Sequence, residues 1–368
     1  MKARVNPYFR PGVKRPADRS RVRDFHRSLP GYRPTPLLLL RGLAARLGLG
    51  GIQLKDESRR FDLKAFKVLG ASWALHRILE GRGGPVTVAT ATDGNHGRAL
   101  AWAAARMGCP AVVFIPAHSA PARVENIRRE GARVELVPGS YDDAVRLCAE
   151  ASEANGWQVV ADTGYQGYRE IPGWIAEGYS TLFAELEEQR EAAGWPAPDV
   201  VLIQAGVGGL LHAAADHFRA RERPPVLISV EPVEADALFV SIGSPGGQPA
   251  PSAGRQDSIM AGLNCGEVSL AAWPVIRESV SLFLTVEDRH AEAAMLRLAG
   301  PAGPDPPVES GESGAAGLAG LLALLESPEG EEARRFLRLG PRSQVLLINT
   351  EGATDPAGYR RVVGAAPP

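Results

Sequence analysis

The sequence predicts an α/β fold made of two lobes with a cleft between them. Beginning at residue 86, runs rich in β-branched residues alternate with helical segments, as in VTVATA followed by HGRALAWAAARMG. A second alternating series follows a charged, proline-containing stretch at 186–199 and ends with the apolar run QVLLINTEG. Because strands that alternate with helices at this spacing form βαβ units, each lobe should contain a mainly parallel sheet flanked by helices.

Length and composition narrow the class of partner. The chain has 368 residues, 45% of them apolar, which is enough for a substantial core and about two domains. Its 41 basic and 42 acidic residues give a net charge of −1 without a run of one sign. We therefore expect no nucleic-acid groove and no contact with an anionic membrane, and a small-molecule partner is favoured.

The cysteine, histidine and N-terminal patterns carry further expectations. The three cysteines are far apart and form no C-x-x-C pair, and no clustered Cys/His spacing exists, so neither a disulfide framework nor a metal site is expected. The basic start MKARVNPYFRPGVKR has no apolar segment of the signal-peptide type after it. These patterns predict reduced thiols and a cytoplasmic location.

The stretch QAGVGGL follows a predicted strand and opens a predicted helix. Glycines there let the backbone approach an anion, and the first N–H groups of the helix can bind it. A tight strand-to-helix turn without a ligand is an equal alternative. A dinucleotide site is a rival, because Glu231 ends the next strand where a ribose-binding acid would stand, but Leu211 occupies the third glycine position of that fingerprint.

Four further polar residues follow predicted strands, where α/β sheets bind ligands. Asp93 and Asn95 lie in TATDGNHGRALAW, Asp162 closes WQVVAD, and Thr350 closes the last strand. Each has an ordinary structural interpretation as a helix cap, a turn former or a partner of neighbouring backbone. Taken together, they suit contacts to a polar ligand in the cleft.

Two lysines, Lys64 and Lys67, lie in the otherwise apolar segment FDLKAFKVLG. A lysine on a helix is usually a solvated charge whose stem covers apolar surface, and this segment alone favours that interpretation.

Seven segments, in a consistent order from about residue 33 to residue 356, resemble the diaminopropionate ammonia-lyases, members of the tryptophan-synthase-β-like, fold type II pyridoxal-phosphate enzymes. These segments are KDESRRFDLKAFKVLG, TATDGNHGRALAW, ADTGYQGYREIPGWIAEGY, QAGVGGL, IMAGLNCGE, ESGESGAAGL and NTEGATD.

The resemblance implies a set of cofactor contacts. Lys67 matches the lysine that forms a Schiff base with pyridoxal 5'-phosphate, whereas Lys64 does not match. Asn95 matches the residue that bonds the cofactor's phenolic oxygen, and Thr350 matches the hydroxyl partner of its pyridine nitrogen. The residues that match the phosphate loop are Gly206, Val207, Gly208 and Gly209.

The resemblance also implies an architecture. Residues 1–85 and 161–368 should form a large cofactor-binding domain, with residues 86–160 as a small inserted α/β domain. The cofactor should lie in the cleft between the two domains. Members of this family are typically homodimers.

The activity implied by the resemblance is α,β-elimination of D- and L-2,3-diaminopropionate to pyruvate and two ammonia. Asp93, helped by Asp162, would hold the second ammonium group of the substrate. Asp93 would also serve as base for the D isomer and Lys67 for the L isomer, and we expect burial to lower the Lys67 pKa. The alternatives are a serine/threonine dehydratase and a nicotinamide-dinucleotide-binding dehydrogenase or sensor.

Overall fold

The computed structural model describes residues 1–12, 18–80, 82–92, 94–301 and 303–364. The strands, in chain order, are β1 (Lys2–Val5), β2 (Leu37–Leu39), β3 (Gly51–Asp56), β4 (Val88–Ala91), β5 (Ala111–Pro116), β6 (Arg133–Val137), β7 (Gln158–Val159), β8 (Val200–Gln204), β9 (Val226–Pro232), β10 (Leu282–Val286) and β11 (Gln344–Asn349).

The helices connect these strands. They are α1 (Ser20–Ser28), α2 (Arg41–Arg46), α3 (Lys67–Glu80), α4 (Asn95–Arg106), α5 (Pro121–Arg129), α6 (Tyr141–Asn155), α7 (Glu170–Gly178), α8 (Ser180–Ala192), α9 (Gly209–Phe218), α10 (Ala237–Gly243), α11 (Trp273–Ser279), α12 (Asp288–Ala299), α13 (Ala316–Glu326), α14 (Glu331–Leu337) and α15 (Pro356–Val363). Within the described ranges, every helix is too short or too polar to cross a membrane.

The strands form two sheets. The larger has the order β1-β10-β9-β8-β11-β3-β2, in which only the edge strands β1 and β2 pair antiparallel. The smaller has the order β6-β5-β4-β7 and is parallel throughout. The predicted α/β class with mainly parallel sheets is therefore confirmed. The strands of the smaller sheet fall between residues 88 and 159, and the domain boundaries at 85/86 and 160/161 remain a prediction.

The composition of the central strands explains why they lie inside. The sequence of β8 is VVLIQ and that of β5 is AVVFIP, and every residue of both strands is buried. Parallel strands covered by helices on both faces have such continuous apolar runs, because neither face meets water.

Apolar cores lie on both faces of the larger sheet. The core on one face includes Leu69 of α3 and Leu100 of α4, and it contains both Val113 of the smaller sheet and Val201 of the larger one. The core on the other face includes Leu321 of α13. Because α3 and α4 contribute to a core shared by both sheets, they fix the carboxyl edges of the two sheets relative to each other.

Candidate active site

Lys67 is the first residue of α3, so its side chain stands where that helix begins. The chain just before it is tied to the chain that follows β11. Phe66 N donates to Thr350 O at 3.1 Å, and Ala65 forms an isolated antiparallel bridge with Glu351. This pairing places Lys67 and Thr350 at the same edge of the larger sheet.

Lys67 Nζ donates a hydrogen bond to Asp162 Oδ2, and the two side chains are 21% and 17% exposed. His96 lies behind this pair, with its Nδ1 3.9 Å from Asp162 Oδ2. His96 Nε2 donates to Val160 O at 2.8 Å, since a carbonyl oxygen can only accept. The structure therefore brings together two of the predicted catalytic residues and adds a buried histidine that carries no predicted role.

Charge pairing sets the protonation of these groups. Burial alone lowers the pKa of the Lys67 amine, but the Asp162 carboxylate, with smaller contributions from Tyr179 and Cys265, outweighs burial, so the pKa of Lys67 stands above its usual value. Burial alone would raise the pKa of Asp162, and Lys67 holds that pKa well below its usual range. The expectation that the pKa of Lys67 would stand below its usual value was wrong, because a countercharge lies in contact with the amine.

The turn between β8 and α9 is rich in glycine, so few side chains cover its peptide N–H groups. Gly208 has φ +100°, and a Cβ there would lie 2.5 Å from Ile276 Cδ1. A Cβ on Gly206 would lie 2.8 Å from Cys265 Sγ. Neither position has room for a side chain, so the peptide N–H groups at the start of α9 are uncovered. Such a turn fits a phosphate group.

The residues beside Gly208 are fixed by the chain around them. Val207 O accepts from Ser269 N at 3.0 Å, and Ser269 Oγ accepts from Gly164 N at 2.8 Å. Gly209, the first residue of α9, would place a Cβ 3.6 Å from Tyr179 Cε2. The turn is therefore held in place by hydrogen bonds and packing from neighbouring segments.

Thr350 follows β11 directly and is buried. Its Oγ1 accepts a hydrogen bond from Gln204 Nε2 at 3.0 Å. Because β8 and β11 are neighbouring parallel strands that end together, Gln204 and Thr350 meet at the edge that also presents the glycine turn.

Asn95 is the first residue of α4, which belongs with the smaller sheet. Its Nδ2 donates to Glu351 Oε2, and Glu351 Oε1 accepts from Ser313 N at 3.3 Å. Glu351 therefore joins the two sheets across the cleft. Sequence reasoning missed this residue, and its one available signal was its place next to Thr350 in NTEGATD.

Asp93 lies outside the described residues, and its expected role stays a prediction.

Tyr179 was also missed by the sequence. It is buried, and its ring centroid lies 4.7 Å from that of Phe66, the neighbour of Lys67. Among the described residues, neither the Tyr179 hydroxyl nor His96 Nδ1 has a hydrogen-bond partner, and both atoms are buried. Unpartnered buried polar atoms are costly and are uncommon unless a ligand completes them. Together with the Lys67 amine and the glycine turn, the Tyr179 hydroxyl and His96 Nδ1 fit a compact aldehyde that carries a phosphate.

Glu231 does not serve a ribose. Its carboxylate is buried and accepts from Leu238 N at 2.7 Å and Phe239 N at 2.8 Å, at the start of α10. Burial raises its pKa well above the usual value. Glu231, which the dinucleotide alternative assigned to a ribose, therefore binds peptide N–H groups at the start of α10 instead.

Comparison with known proteins assigns the class. Residues 28–350 match the family described as pyridoxal-phosphate dependent enzyme. With a lysine at the start of α3, a phosphate-type turn and this fold, the protein is a pyridoxal-phosphate dependent enzyme, which confirms the predicted cofactor.

Relatives then assign the family. The chain is 41% identical over 366 residues to the diaminopropionate ammonia-lyase of Salmonella typhimurium, covering 93% of this chain and 91% of that protein. The crystal structure of the Escherichia coli diaminopropionate ammonia lyase with an aminoacrylate-PLP azomethine reaction intermediate matches with a TM-score of 0.91 and 38% identity, covering 98% of this chain and 96% of that one. The same enzyme in complex with D-serine also has a TM-score of 0.91, at 37% identity, covering 98% of this chain and 96% of that one. The chain belongs to the diaminopropionate ammonia-lyase family.

Proposed function

We propose that this chain catalyses α,β-elimination of 2,3-diaminopropionate, in its D and L forms, to pyruvate and two ammonia. The observation that carries the proposal is the Lys67–Asp162 pair, which lies at the edge that also holds the glycine turn and Thr350. Membership of the family supports the substrate, and the D-serine complex of the Escherichia coli enzyme supports a site that admits a D-amino acid.

The residues that would hold the cofactor each meet a different part of it. Lys67 would bind its aldehyde carbon covalently, and the peptide N–H groups of the 206–209 turn would bind its phosphate. Asn95 would bond its phenolic oxygen and Thr350 its pyridine nitrogen. When bound, pyridoxal phosphate supplies an electron sink for negative charge at the substrate Cα.

The proton steps follow from the charges around Lys67. Its amine must be neutral to act as nucleophile or base, whereas Asp162, in contact with it, favours the protonated amine, so Lys67 must give up that proton before it reacts. Lys67 would take the Cα proton of the L isomer, and Asp93 that of the D isomer. The Cβ–N bond then breaks, and its electron pair leaves with ammonia.

Substrate choice would depend on acids in the cleft. Diaminopropionate carries two ammonium groups, and serine carries one. Asp162 is charged and mostly buried, so together with Asp93 it would stabilise the second cation. Losing one partner of a desolvated charge pair typically costs about 2–5 kcal/mol, which is enough to decide between substrates.

We further propose that residues 1–85 and 161–368 form the large domain, that residues 86–160 form the small one, and that the protein is a cytoplasmic homodimer. The separate four-stranded sheet within 88–159 supports the domain division. Cys109, Cys148 and Cys265 are thiols that form no disulfide among the described residues, which supports a reducing compartment. The homodimer rests on family resemblance.

Replacing the lysine tests the site. Lys67→Ala should abolish the visible absorbance of bound cofactor and the release of pyruvate, because no other described amine begins a helix beside the glycine turn. Lys64→Ala is the matched control, since that side chain is exposed and pairs with Glu309 at 2.7 Å. Retention of the visible band in Lys67→Ala would refute the assignment.

Turnover of four substrates tests the reaction. Pyruvate release from D- and L-diaminopropionate should exceed that from D- and L-serine, whereas a serine dehydratase would show the reverse order. Asp93→Asn should lose D-diaminopropionate turnover far more than L turnover. Equal losses for the two isomers would remove the two-base mechanism.

A further inference from the structure

Gln204, the last residue of β8, has an amide whose surroundings permit one orientation. The side chain is buried, and its Nε2 donates toward four oxygens. These are Ser313 O at 3.1 Å, Gly314 O at 3.0 Å, Ile348 O at 2.9 Å and Thr350 Oγ1 at 3.0 Å. Three of them are peptide carbonyls, which can only accept hydrogen bonds.

The opposite orientation of this amide is excluded by the same contacts. Its Oε1 is buried without a partner in the described part of the chain, and it lies 3.2 Å from the position that a Cβ on Gly317 would occupy. A flipped amide would place Oε1 against three carbonyl oxygens, and repulsion between these acceptors is strong in a buried site. The amide of Gln204 therefore presents its N–H group, and not its carbonyl oxygen, to Thr350.

This donation fixes the direction of the Thr350 hydroxyl. A hydroxyl has one hydrogen and two acceptor lone pairs. Thr350 Oγ1 uses a lone pair on Gln204, and the contacts of the described residues give its hydrogen no acceptor. The hydrogen is therefore available to a ligand at the carboxyl edge of the sheet, and that ligand must accept it.

We propose that Gln204 is a positioning residue that aligns the Thr350 hydroxyl as a hydrogen-bond donor to the pyridine nitrogen of the cofactor. The inference rests on the proposed function, in which Thr350 meets that nitrogen. A pyridine nitrogen accepts a hydrogen bond only when it is unprotonated. Gln204 thus favours the unprotonated ring without touching the cofactor, and it couples strand β8, which leads into the phosphate-type turn, to strand β11.

The test uses the holoprotein loaded with pyridoxal phosphate carrying ¹⁵N in its ring. In the wild type, the ¹⁵N resonance should lie upfield of that in Thr350→Val, since the hydroxyl hydrogen bond is lost in that variant. Gln204→Met, which keeps the length of the side chain and removes its N–H groups, should move the resonance toward the Thr350→Val position. Each single variant should weaken cofactor binding about three- to tenfold, the range expected for one hydrogen bond.

The double variant shows whether Gln204 acts through Thr350. In the Thr350→Val background, Gln204→Met should leave the ¹⁵N resonance unchanged, and the two losses of affinity should not multiply. Gln53→Met is the matched control. Gln53 is a buried glutamine in β3 whose Nε2 donates to Pro196 O at 2.8 Å, away from Thr350, so its variant should keep the wild-type resonance.

Two results would overturn the inference, and a third concerns the proposed function instead. A wild-type resonance equal to that of Thr350→Val would exclude the donated hydrogen bond, even if Gln204→Met failed to fold. An unchanged resonance in folded Gln204→Met would exclude the role of Gln204. Failure of the wild-type protein to bind pyridoxal phosphate at all would refute the proposed function.

Discussion

Neutralising Asp162 should remove most of the rise in the pKa of Lys67. In the protein, burial lowers the pKa of Lys67, and Asp162, as the main opposing group, helps to raise it above the usual value. Asp162→Asn keeps the size of the side chain and removes the charge. Burial then acts unopposed by its main countercharge, so the pKa of Lys67 should fall toward its ordinary value.

The size of the effect follows from the exposure of the pair. Breaking a fully buried ion pair by removing one partner typically costs about 3–5 kcal/mol. Because Lys67 and Asp162 are 21% and 17% exposed, we take the low end, about 3 kcal/mol. One pKa unit corresponds to about 1.4 kcal/mol, so the pKa of Lys67 should fall by about two units.

Competitive acetylation of the cofactor-free protein across a pH series measures this shift, because only the neutral amine reacts. Lys64, which is exposed and pairs with Glu309 instead of Asp162, is the internal reference. Asp162→Glu keeps the charge and should preserve the high pKa. Identical labelling profiles for Lys67 in the wild type and in Asp162→Asn would refute the argument that this carboxylate controls the amine.

Three further predictions concern the stability of the fold. Gly208→Ala should lower the free energy of unfolding by about 1–3 kcal/mol and weaken cofactor binding, because φ is +100° and an added Cβ would lie 2.5 Å from a neighbouring side chain. Gly173→Ala is the control, because open space surrounds that position and the variant should not lose stability. Equal urea midpoints for the two variants would count against the strained turn. Glu185→Gln should destabilise the protein by about 3–5 kcal/mol in urea unfolding, because the buried cations of Lys55 and Arg60 lose their shared partner. Glu125→Gln, in an exposed pair, should cost under about 1 kcal/mol. Similar losses for both variants would be inconsistent with this reasoning. Burial lowers the pKa of His26 from 6.5 to about 3, so the unfolded chain binds the proton at a higher pH than the folded protein does. The free energy of unfolding should therefore fall by about 1.4 kcal/mol per pH unit as the pH drops from 6.5 toward 3. His26→Asn should flatten that slope, and an unchanged slope in the variant would exclude His26 as its source.

The α/β class was predictable because it depends on local pattern. The burial of β5 and β8 follows from their continuous apolar sequences, and each helix or strand extends over residues that are adjacent in the chain. The glycine turn was likewise visible as a short motif, and the structure adds the reason for Gly208, whose φ of +100° disfavours other residues.

Residues of the site could be predicted where they match a motif in the sequence. They were missed where their role depends on a contact with a residue far away in the chain. Lys67 and Thr350 belong to motifs that resemble the family. Glu351 and Gln204 sit inside quoted motifs, yet nothing in the letters tells that one reaches Asn95 and the other the hydroxyl of Thr350. Tyr179 ends another quoted motif, but its place in the site gave no signal, because a buried hydroxyl without a partner among the described residues is a property of packing.

The sequence by itself determined which segments become strands and helices, where the glycine turn lies and which lysine matches the family, since hydrophobic period and motif are properties of neighbouring residues. Only the tertiary structure decided the protonation of Lys67, because the pKa depends on the sum of burial and a countercharge 95 residues away. The same holds for the direction of the Thr350 hydroxyl, which depends on an amide 146 residues away. Coulombic and hydrogen-bond energies depend on distances in space, and those distances exist only once the strands have assembled.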